Sequence, residues 1–205
     1  MADRQRVTRE AILAVARGIV AADGVVALTY QAVATRLGVT KQAVIYWYPS
    51  KSDLARDLSL TTLREEAGIT TQAVAVALTA KDAIDRFVRA LVAFHLADLG
   101  RFRMLYLSLQ TAPPGEARAM LASFLDDVHS ITGEMYGALE AKVAADKRYP
   151  GRRDARRIAV ATHMAAVGLL TMVALGQAIN DPLAHRIDAL VDAMVQLVAN
   201  AAARP

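Results

Sequence analysis

The chain of 205 residues contains no cysteine, and this absence excludes disulfide bonds and thiolate metal sites. Only 5% of the residues are aromatic, and there are just 6 prolines and 11 glycines. No stretch alternates β-branched and polar residues in the way that predicts a half-buried strand. The composition is 55% apolar and rich in alanine, the strongest helix former. The sequence therefore predicts an all-α protein of about nine helices.

Enzyme motifs are also missing. The sequence has no HExxH motif, no glycine-rich phosphate loop and no Gly-x-Ser-x-Gly motif. His95 with Asp98, and Asp126 with His129, have the i,i+3 spacing of metal ligands, but such pairs arise easily by chance on helices. We therefore predict no catalytic residue, no metal site and no cofactor.

Residues 158–180 carry no formal charge, a length that could span a membrane. Because the segment includes His163, Gln177 and many alanines, we interpret it instead as a helix buried between its own core and a partner subunit. Arg17 interrupts the apolar stretch near the N-terminus, which argues against a signal peptide. We expect a cytoplasmic protein without membrane contact.

Positive charge is concentrated at the start of the chain. The net charge of the chain is +4. The first 55 residues hold seven basic and four acidic side chains, whereas basic and acidic side chains are almost equal in number in the other 150. An excess of this sign suits a polyanionic partner.

Residues 29–54 have the pattern of a helix-turn-helix. Thr29 and Thr40 are suited to cap helices predicted over 30–37 and 41–48, and a Gly-Val turn separates these helices. Pro49 ends the second helix because proline disfavours helical backbone in the preceding residue. The second helix of such a unit enters the major groove of DNA and is called the recognition helix.

A helical wheel divides the recognition helix into two faces. When Val44 is placed at the centre of the buried face, Thr40 and Tyr48 lie beside it, and Gln42 and Tyr46 point away. Glutamine can bond adenine and lysine can bond guanine or phosphate, while phenol, indole and helix N-termini suit phosphates. The predicted DNA-binding residues are Thr29, Thr40, Lys41, Gln42, Ala43, Ile45, Tyr46, Trp47 and Lys51.

The rest of the chain is predicted to form a second domain. Residues 1–54 are assigned to DNA binding, and residues 55–205 to the second domain. A first helix is predicted over residues 9–23, capped by Thr8. Gly100 is expected to end one of the later helices and separate it from the next. The further helices are predicted over residues 50–68, 81–99, 101–110, 116–147, 154–180 and 181–202. Residues 69–80 are left open as a continuation of the helix before them or a loop.

The middle helices carry large side chains that could line an effector pocket or simply form the core. A pocket of this composition, mostly apolar with few polar groups, suits a hydrophobic or aromatic small molecule. The candidates are Phe87, Phe94, His95, Met104, Tyr106, Phe124, Met135, Tyr136, His163 and Met172.

Residues 8–54 resemble the DNA-binding domain of the TetR family of bacterial transcriptional repressors. The first-helix pattern, Gly24, Thr29, the Ala34–Val39 segment and the Pro49–Lys51 exit fit in register. The family usually has a tyrosine that touches a DNA phosphate where this chain has Ile45. We expect Tyr46 or Trp47 to take that role.

The resemblance implies a ligand-responsive regulator, a repressor that binds a palindromic operator in double-stranded DNA and is released by a small-molecule effector. It also assigns residues 55–205 to effector binding and dimerisation. The homodimer would be joined through the last two helices, although these helices could instead pack within one subunit. Two alternatives stay open: a helical ligand-binding or adaptor protein with weak or no specific DNA binding, suggested by Ile45, and an enzyme with a helical active site.

Overall fold

The computed structural model describes residues 7–107, 115, 122, 124–149, 152–180 and 186–202. Within these ranges the chain forms nine α-helices and no β-strand, which confirms the predicted all-α class. A 3₁₀ turn (Val25–Ala27) follows the first helix, and a π-helical turn (Arg103–Leu107) follows the sixth. The helices are α1 (Arg9–Asp23), α2 (Tyr30–Leu37), α3 (Lys41–Trp47), α4 (Lys51–Ala75), α5 (Ala80–Leu96), α6 (Leu99–Phe102), α7 (Leu125–Ala145), α8 (Arg152–Ala178) and α9 (Ile187–Ala202).

Threonine caps fix the starts of the first three helices, as the sequence predicted. The Oγ1 atoms of Thr8, Thr29 and Thr40 accept hydrogen bonds of 3.0–3.2 Å from the backbone N–H three residues later. Gly38 ends α2 in the left-handed conformation, with φ of +67°, a backbone geometry that glycine adopts without the steric cost of a Cβ. These local contacts account for the tight turn between α2 and α3.

The structure decides one helix boundary that the sequence left open and corrects another. Helix α4 continues through Gly68 to Ala75, because Gly68 lies on the exposed face while Ala67 and Thr70 are buried beside it. Helix α5 ends at Leu96 rather than residue 99. The break falls at Asp98, whose carboxylate accepts the Arg101 N–H at 3.2 Å and begins a new helix.

Gly100 therefore lies inside α6, and the expectation that it breaks the helix was wrong. A Cβ atom at Gly100 would lie 2.8 Å from the carbonyl oxygen of Val20 in α1. Glycine at this position permits the close approach of two helices.

Other predicted segments are described only in part. Helix α7 covers residues 125–145 of the helix predicted over 116–147, and α8 ends two residues before Asn180. Residues 108–114, which include the end of the helix predicted over 101–110 and two prolines of a predicted loop, lie outside the described residues. Residues 181–185 at the start of the predicted last helix also lie outside them.

The chain divides into two compact units. The first contains residues 1–63 and 98–127, and its core is built by α1, α2, α3 and the start of α4 around Ile12, Val33, Val44 and Leu58. The second contains residues 64–97 and 128–205, in which α5 packs against α8 and α9. The functional division after residue 54 stays a prediction.

Candidate nucleic-acid interface and buried polar cluster

The recognition helix α3 has one buried and one exposed face. Val44 and Tyr48 are fully buried, whereas Gln42 and Tyr46 are exposed, as the helical wheel predicted. Thr40 is exposed, so its predicted place on the buried side was wrong. As the N-cap it has extended backbone, with ψ of 151°, and therefore does not follow the angular spacing of the helix.

Other predicted DNA-binding residues of α3 surround this exposed face. Lys41 is exposed, and Ala43 and Ile45 are partly buried at the edges of the exposed face. Tyr46 is 80% exposed and Trp47 is 38% exposed. Their rings meet edge to face with centroids 5.7 Å apart. The surface thus combines an amide, an ammonium group and two aromatic rings.

Thr29 and Lys51 lie on the same groove of the first unit. This groove has a volume of about 130 Å³. Thr29 caps α2, and the exposed Lys51 begins α4, so backbone N–H groups of two helix N-termini are nearby. The other lining residues are Val25, Leu28, Tyr30, Leu54 and Ala55.

Several effector candidates meet in the second unit, around a residue that the sequence interpretation did not select. Glu66 is fully buried, and its Oε2 lies 2.7 Å from Nε2 of His95. Its Oε1 lies 3.3 Å from Nε2 of His163. The Nδ1 atom of His163 lies 2.7 Å from the hydroxyl oxygen of Tyr136. These four residues form the Glu66 cluster.

Two opposing effects set the ionisation of Glu66. Burial raises the pKa of Glu66, but hydrogen bonds and charge from His163 and His95 outweigh burial and lower the pKa to about 2. An ionised carboxylate only accepts hydrogen bonds, so both Nε2 atoms carry the hydrogen in these contacts. Burial also raises the pKa of Tyr136, which favours a protonated phenol.

Aromatic rings and a guanidinium surround the Glu66 cluster. The Phe87 ring stands at 88° to the His163 ring, with centroids 6.2 Å apart, and Phe94 lies 4.9 Å from the His95 ring. The Arg156 guanidinium carbon lies 5.1 Å from the Tyr136 ring centroid. The site therefore offers hydrogen-bonding groups beside apolar rings.

The remaining effector candidates lie elsewhere. Met104, Tyr106 and Phe124 belong to the first unit, where Met104 is part of the core. Met135 is fully buried in α7, whereas Met172 is 63% exposed on α8. All ten assignments as effector contacts stay predictions. Within the described ranges, no group of three or more His, Asp or Glu residues has the spacing to hold a metal ion.

Helix α8 presents a second apolar face away from its own core. Met164, Met172 and Leu175 are 68%, 63% and 51% exposed, and their spacing of three to eight residues places them along one side; Ile179, directly after the helix, is 65% exposed. Leu197 on α9 is 72% exposed. Residues 154–178 have the length and composition of a membrane-crossing helix, with a mean hydropathy of 2.0 over the most apolar 18 residues, but core helices of soluble proteins can have the same properties.

A helix-turn-helix unit combined with a second helical unit is the architecture of a DNA-binding regulator. Residues 12–58 match the model of the family described as bacterial regulatory proteins, tetR family. No curated protein matches the sequence. The match covers the helix-turn-helix and the start of α4, and the solved structures described next share the fold.

Three solved structures illustrate the shared fold. A bacterial regulatory protein in the tetR family from Rhodococcus RHA1 is 19% identical, with a TM-score of 0.64 over 96% of this chain and 98% of that chain. The transcriptional regulator FadR from Bacillus subtilis, solved in complex with stearoyl-CoA, is 15% identical, with a TM-score of 0.67 over 93% and 97%. The TetR family regulator PfmR from Thermus thermophilus is 19% identical, with a TM-score of 0.55 over 92% and 97%.

Proposed function

We propose that this protein is a ligand-responsive repressor that binds a palindromic operator as a homodimer and is released by a small hydrophobic or aromatic effector. The observation that carries the proposal is the recognition helix, on which Gln42 and Tyr46 are exposed opposite the buried Val44 and Tyr48. A helix fixed on one face and polar on the other suits insertion into the major groove.

The side chains of α3 divide by their chemistry. Gln42 is assigned to a base edge, where its amide can bond adenine through two hydrogen bonds. Ala43 and Ile45 provide methyl groups for a thymine methyl, and Lys41 a charge for guanine or phosphate. Ile45 has no hydrogen-bonding group, so a phosphate contact falls to Tyr46, whose ring is more exposed than that of Trp47.

The groove that contains Thr29 and Lys51 supports a second phosphate contact. Lys51 supplies a positive charge, and the N-termini of α2 and α4 supply backbone N–H groups. Contacts of this kind hold the domain in register on the duplex and carry little sequence information.

The exposed apolar side of α8 supports the homodimer. Three large apolar side chains along α8, with Ile179 directly after it, are costly to leave in water, and a second copy of the same face would cover them. Two-fold symmetry of the dimer requires two half-sites, which makes the operator an approximate palindrome. Because a second copy would cover this side of α8, the helix needs no membrane around it, which supports a cytoplasmic protein without membrane contact.

The Glu66 cluster supports the effector site. Its hydrogen-bonding groups adjoin Phe87 and Phe94, an arrangement suited to a ligand with an apolar body and one polar group. FadR, which shares the fold, was solved with stearoyl-CoA, a ligand with a long apolar chain. Effector binding would favour a state of the dimer that no longer fits the operator.

Two alternative functions have different support. Ile45, at a position where the family usually has tyrosine, favours a helical ligand-binding or adaptor protein with weak DNA binding. An enzyme has less support, since the described histidines and acids form neither a recognised catalytic motif nor a metal-binding group.

Selection from a random-sequence duplex library tests the proposal against both alternatives. The full chain is expected to enrich an approximate palindrome. Its affinity for that duplex should fall steeply as salt rises, because phosphate contacts release counterions. Recovery of random sequences with no enrichment would contradict the repressor function.

Two substitutions test the separate roles of Gln42 and Lys51. Gln42→Ala is expected to relax the preference at one base pair, by roughly 1–3 kcal/mol. Lys51→Ala should weaken binding to all sequences alike and reduce the slope of log affinity against log salt concentration by about 1. Gln72→Ala and Lys81→Ala are matched controls, because both side chains are exposed in the second unit. Equal and uniform losses from Gln42→Ala and Lys51→Ala would refute these roles.

A further inference from the structure

Tyr48, the residue that ends the recognition helix, has backbone contacts that fix the helix end. Tyr48 is fully buried, and its N–H donates to the carbonyl of Val44 at 3.0 Å. Its own carbonyl accepts a hydrogen bond of 2.9 Å from the hydroxyl of Tyr30 in α2. The backbone carbonyl of Tyr48, directly after α3, is thus fixed by a side chain of α2.

The phenol of Tyr48 connects α3 to two further helices. Arg9 in α1 donates from Nε to the Tyr48 hydroxyl oxygen at 3.2 Å, and that hydroxyl donates to Oδ2 of Asp57 in α4 at 3.3 Å. Arg9 also pairs with Asp57 at 2.8 Å, and its guanidinium carbon lies 4.9 Å from the Tyr48 ring centroid. We call Arg9, Tyr30, Tyr48 and Asp57 the Tyr48 junction.

Packing alone does not require this hydroxyl group. A phenylalanine ring would fill the same space without the cost of removing a polar group from water. The hydroxyl is tolerated because both of its partners are present. Burial raises the pKa of Tyr48, so the phenol stays protonated and keeps a hydrogen to donate to Asp57. The contacts are directional, and directional contacts restrict rotation of a helix more than apolar packing does.

Small rotations of α3 matter for reading DNA. A side-chain tip lies roughly 5–6 Å from the axis of an α-helix, so a rotation of about 20° moves it by about 2 Å. A bidentate hydrogen bond to a base tolerates far less displacement. Gln42 lies on a helix of only seven residues, so the orientation of its side chain depends on how the end at Tyr48 is held.

We propose that the Tyr48 junction positions the recognition helix, and that Tyr48 and Asp57 set base specificity without touching DNA. This inference rests on the proposed DNA binding, but its structural part can be tested without DNA. Tyr48 and Asp57 are positioning residues, and their loss is expected to change which sequences are preferred more than the number of phosphate contacts.

The DNA-independent test uses Trp47, the only tryptophan of the chain, which immediately precedes Tyr48. Tyr48→Phe and Asp57→Asn are each expected to increase acrylamide quenching of Trp47 and to lower its fluorescence anisotropy. Asp23→Asn is the matched control: it removes another ion pair between helices of the same unit, Arg36 with Asp23 at 2.7 Å, that does not involve α3. Quenching unchanged from wild type in both junction variants would overturn the inference.

The DNA test compares affinity for the duplex selected by the wild-type chain with affinity for a scrambled duplex. Tyr48→Phe is expected to reduce this ratio by about tenfold, the effect of one buried hydrogen-bonding group, with an unchanged salt slope. In the double variant Tyr48→Phe/Asp57→Asn, the affinity ratio should fall by less than the product of the two single-variant reductions, because the two groups act in one network. Circular dichroism at the assay temperature checks that every variant is folded.

The outcomes separate this inference from the proposed function. If the wild-type chain shows no sequence preference, the repressor proposal fails, and Trp47 quenching still tests the junction. If the wild-type chain has a preference and Tyr48→Phe keeps the ratio within twofold, the positioning role is refuted. A loss that is equal for both duplexes would also refute it, because that result means a general loss of binding.

Discussion

Replacement of Glu66 by glutamine should remove a pH-dependent part of the stability of the second unit. Glu66 is fully buried and receives hydrogen bonds from His95 and His163, one on each carboxylate oxygen. Glutamine has nearly the same shape but offers one acceptor oxygen and an NH₂ donor. One histidine N–H would therefore lose its acceptor, and the cluster would lose its negative charge.

The size of the effect follows from the pKa of Glu66. The folded pKa of about 2, against an ordinary value of 4.5, corresponds to roughly 3 kcal/mol at neutral pH. A folded pKa below the unfolded one means that the unfolded chain binds the proton more tightly. The stabilisation is therefore fully present above about pH 5 and is lost as the pH falls toward about 2.

Thermal unfolding followed by circular dichroism measures this prediction, at fixed protein concentration because a dimer is expected. At pH 7, Glu66→Gln should lower Tm by about 6–12 °C, since roughly 3 kcal/mol is lost from a chain of this size. The difference from wild type should shrink as the pH is lowered from 5 to 3. Glu134→Gln, an exposed carboxylate on α7, is the control and should change Tm little. A difference that stays constant with pH would refute an ionised, hydrogen-bonded Glu66.

Two further predictions concern helix contacts. In urea titrations, Gly100→Ala should destabilise the first unit by roughly 1–3 kcal/mol, because the new Cβ would lie 2.8 Å from a backbone oxygen. Gly68→Ala is the control and should be neutral or stabilising, because its Cβ would meet nothing within 4 Å. If both variants unfold alike, the close approach of α6 to α1 is wrong. Met172→Glu should shift the chain from dimer to monomer in sedimentation velocity, and Lys81→Glu should not; a dimer that survives Met172→Glu would exclude this face of α8 as the interface.

The first three helices could be predicted closely because their boundaries depend on local chemistry. Thr8, Thr29 and Thr40 bond to backbone groups three residues away, and Gly38 adopts a conformation that other residues avoid. The same local reasoning failed for Thr40 burial, since a cap residue stands outside the helical repeat. It also failed for Gly100, whose role depends on a contact with α1 that is remote in sequence.

The Glu66 cluster could not be located from sequence, because its members are 27 to 97 positions apart and meet only when four helices pack. One signal was available: Leu58, Thr62, Glu66 and Thr70 recur at intervals of four, which places an acid on the buried face of α4. A charged residue on such a face needs partners, and the buried histidines of α5 and α8 provide them. The Tyr48 junction was likewise hidden, because the wheel identified Tyr48 only as a buried ring.

The most direct test of the central claim is the affinity of the full chain for its selected duplex and for a scrambled duplex, at two salt concentrations. The account predicts binding to the selected duplex at least about 10³-fold tighter, with affinity for both falling as salt rises. Equal affinity for the two duplexes would contradict sequence-specific DNA binding, and affinity independent of salt would contradict the phosphate contacts assigned to Tyr46 and Lys51.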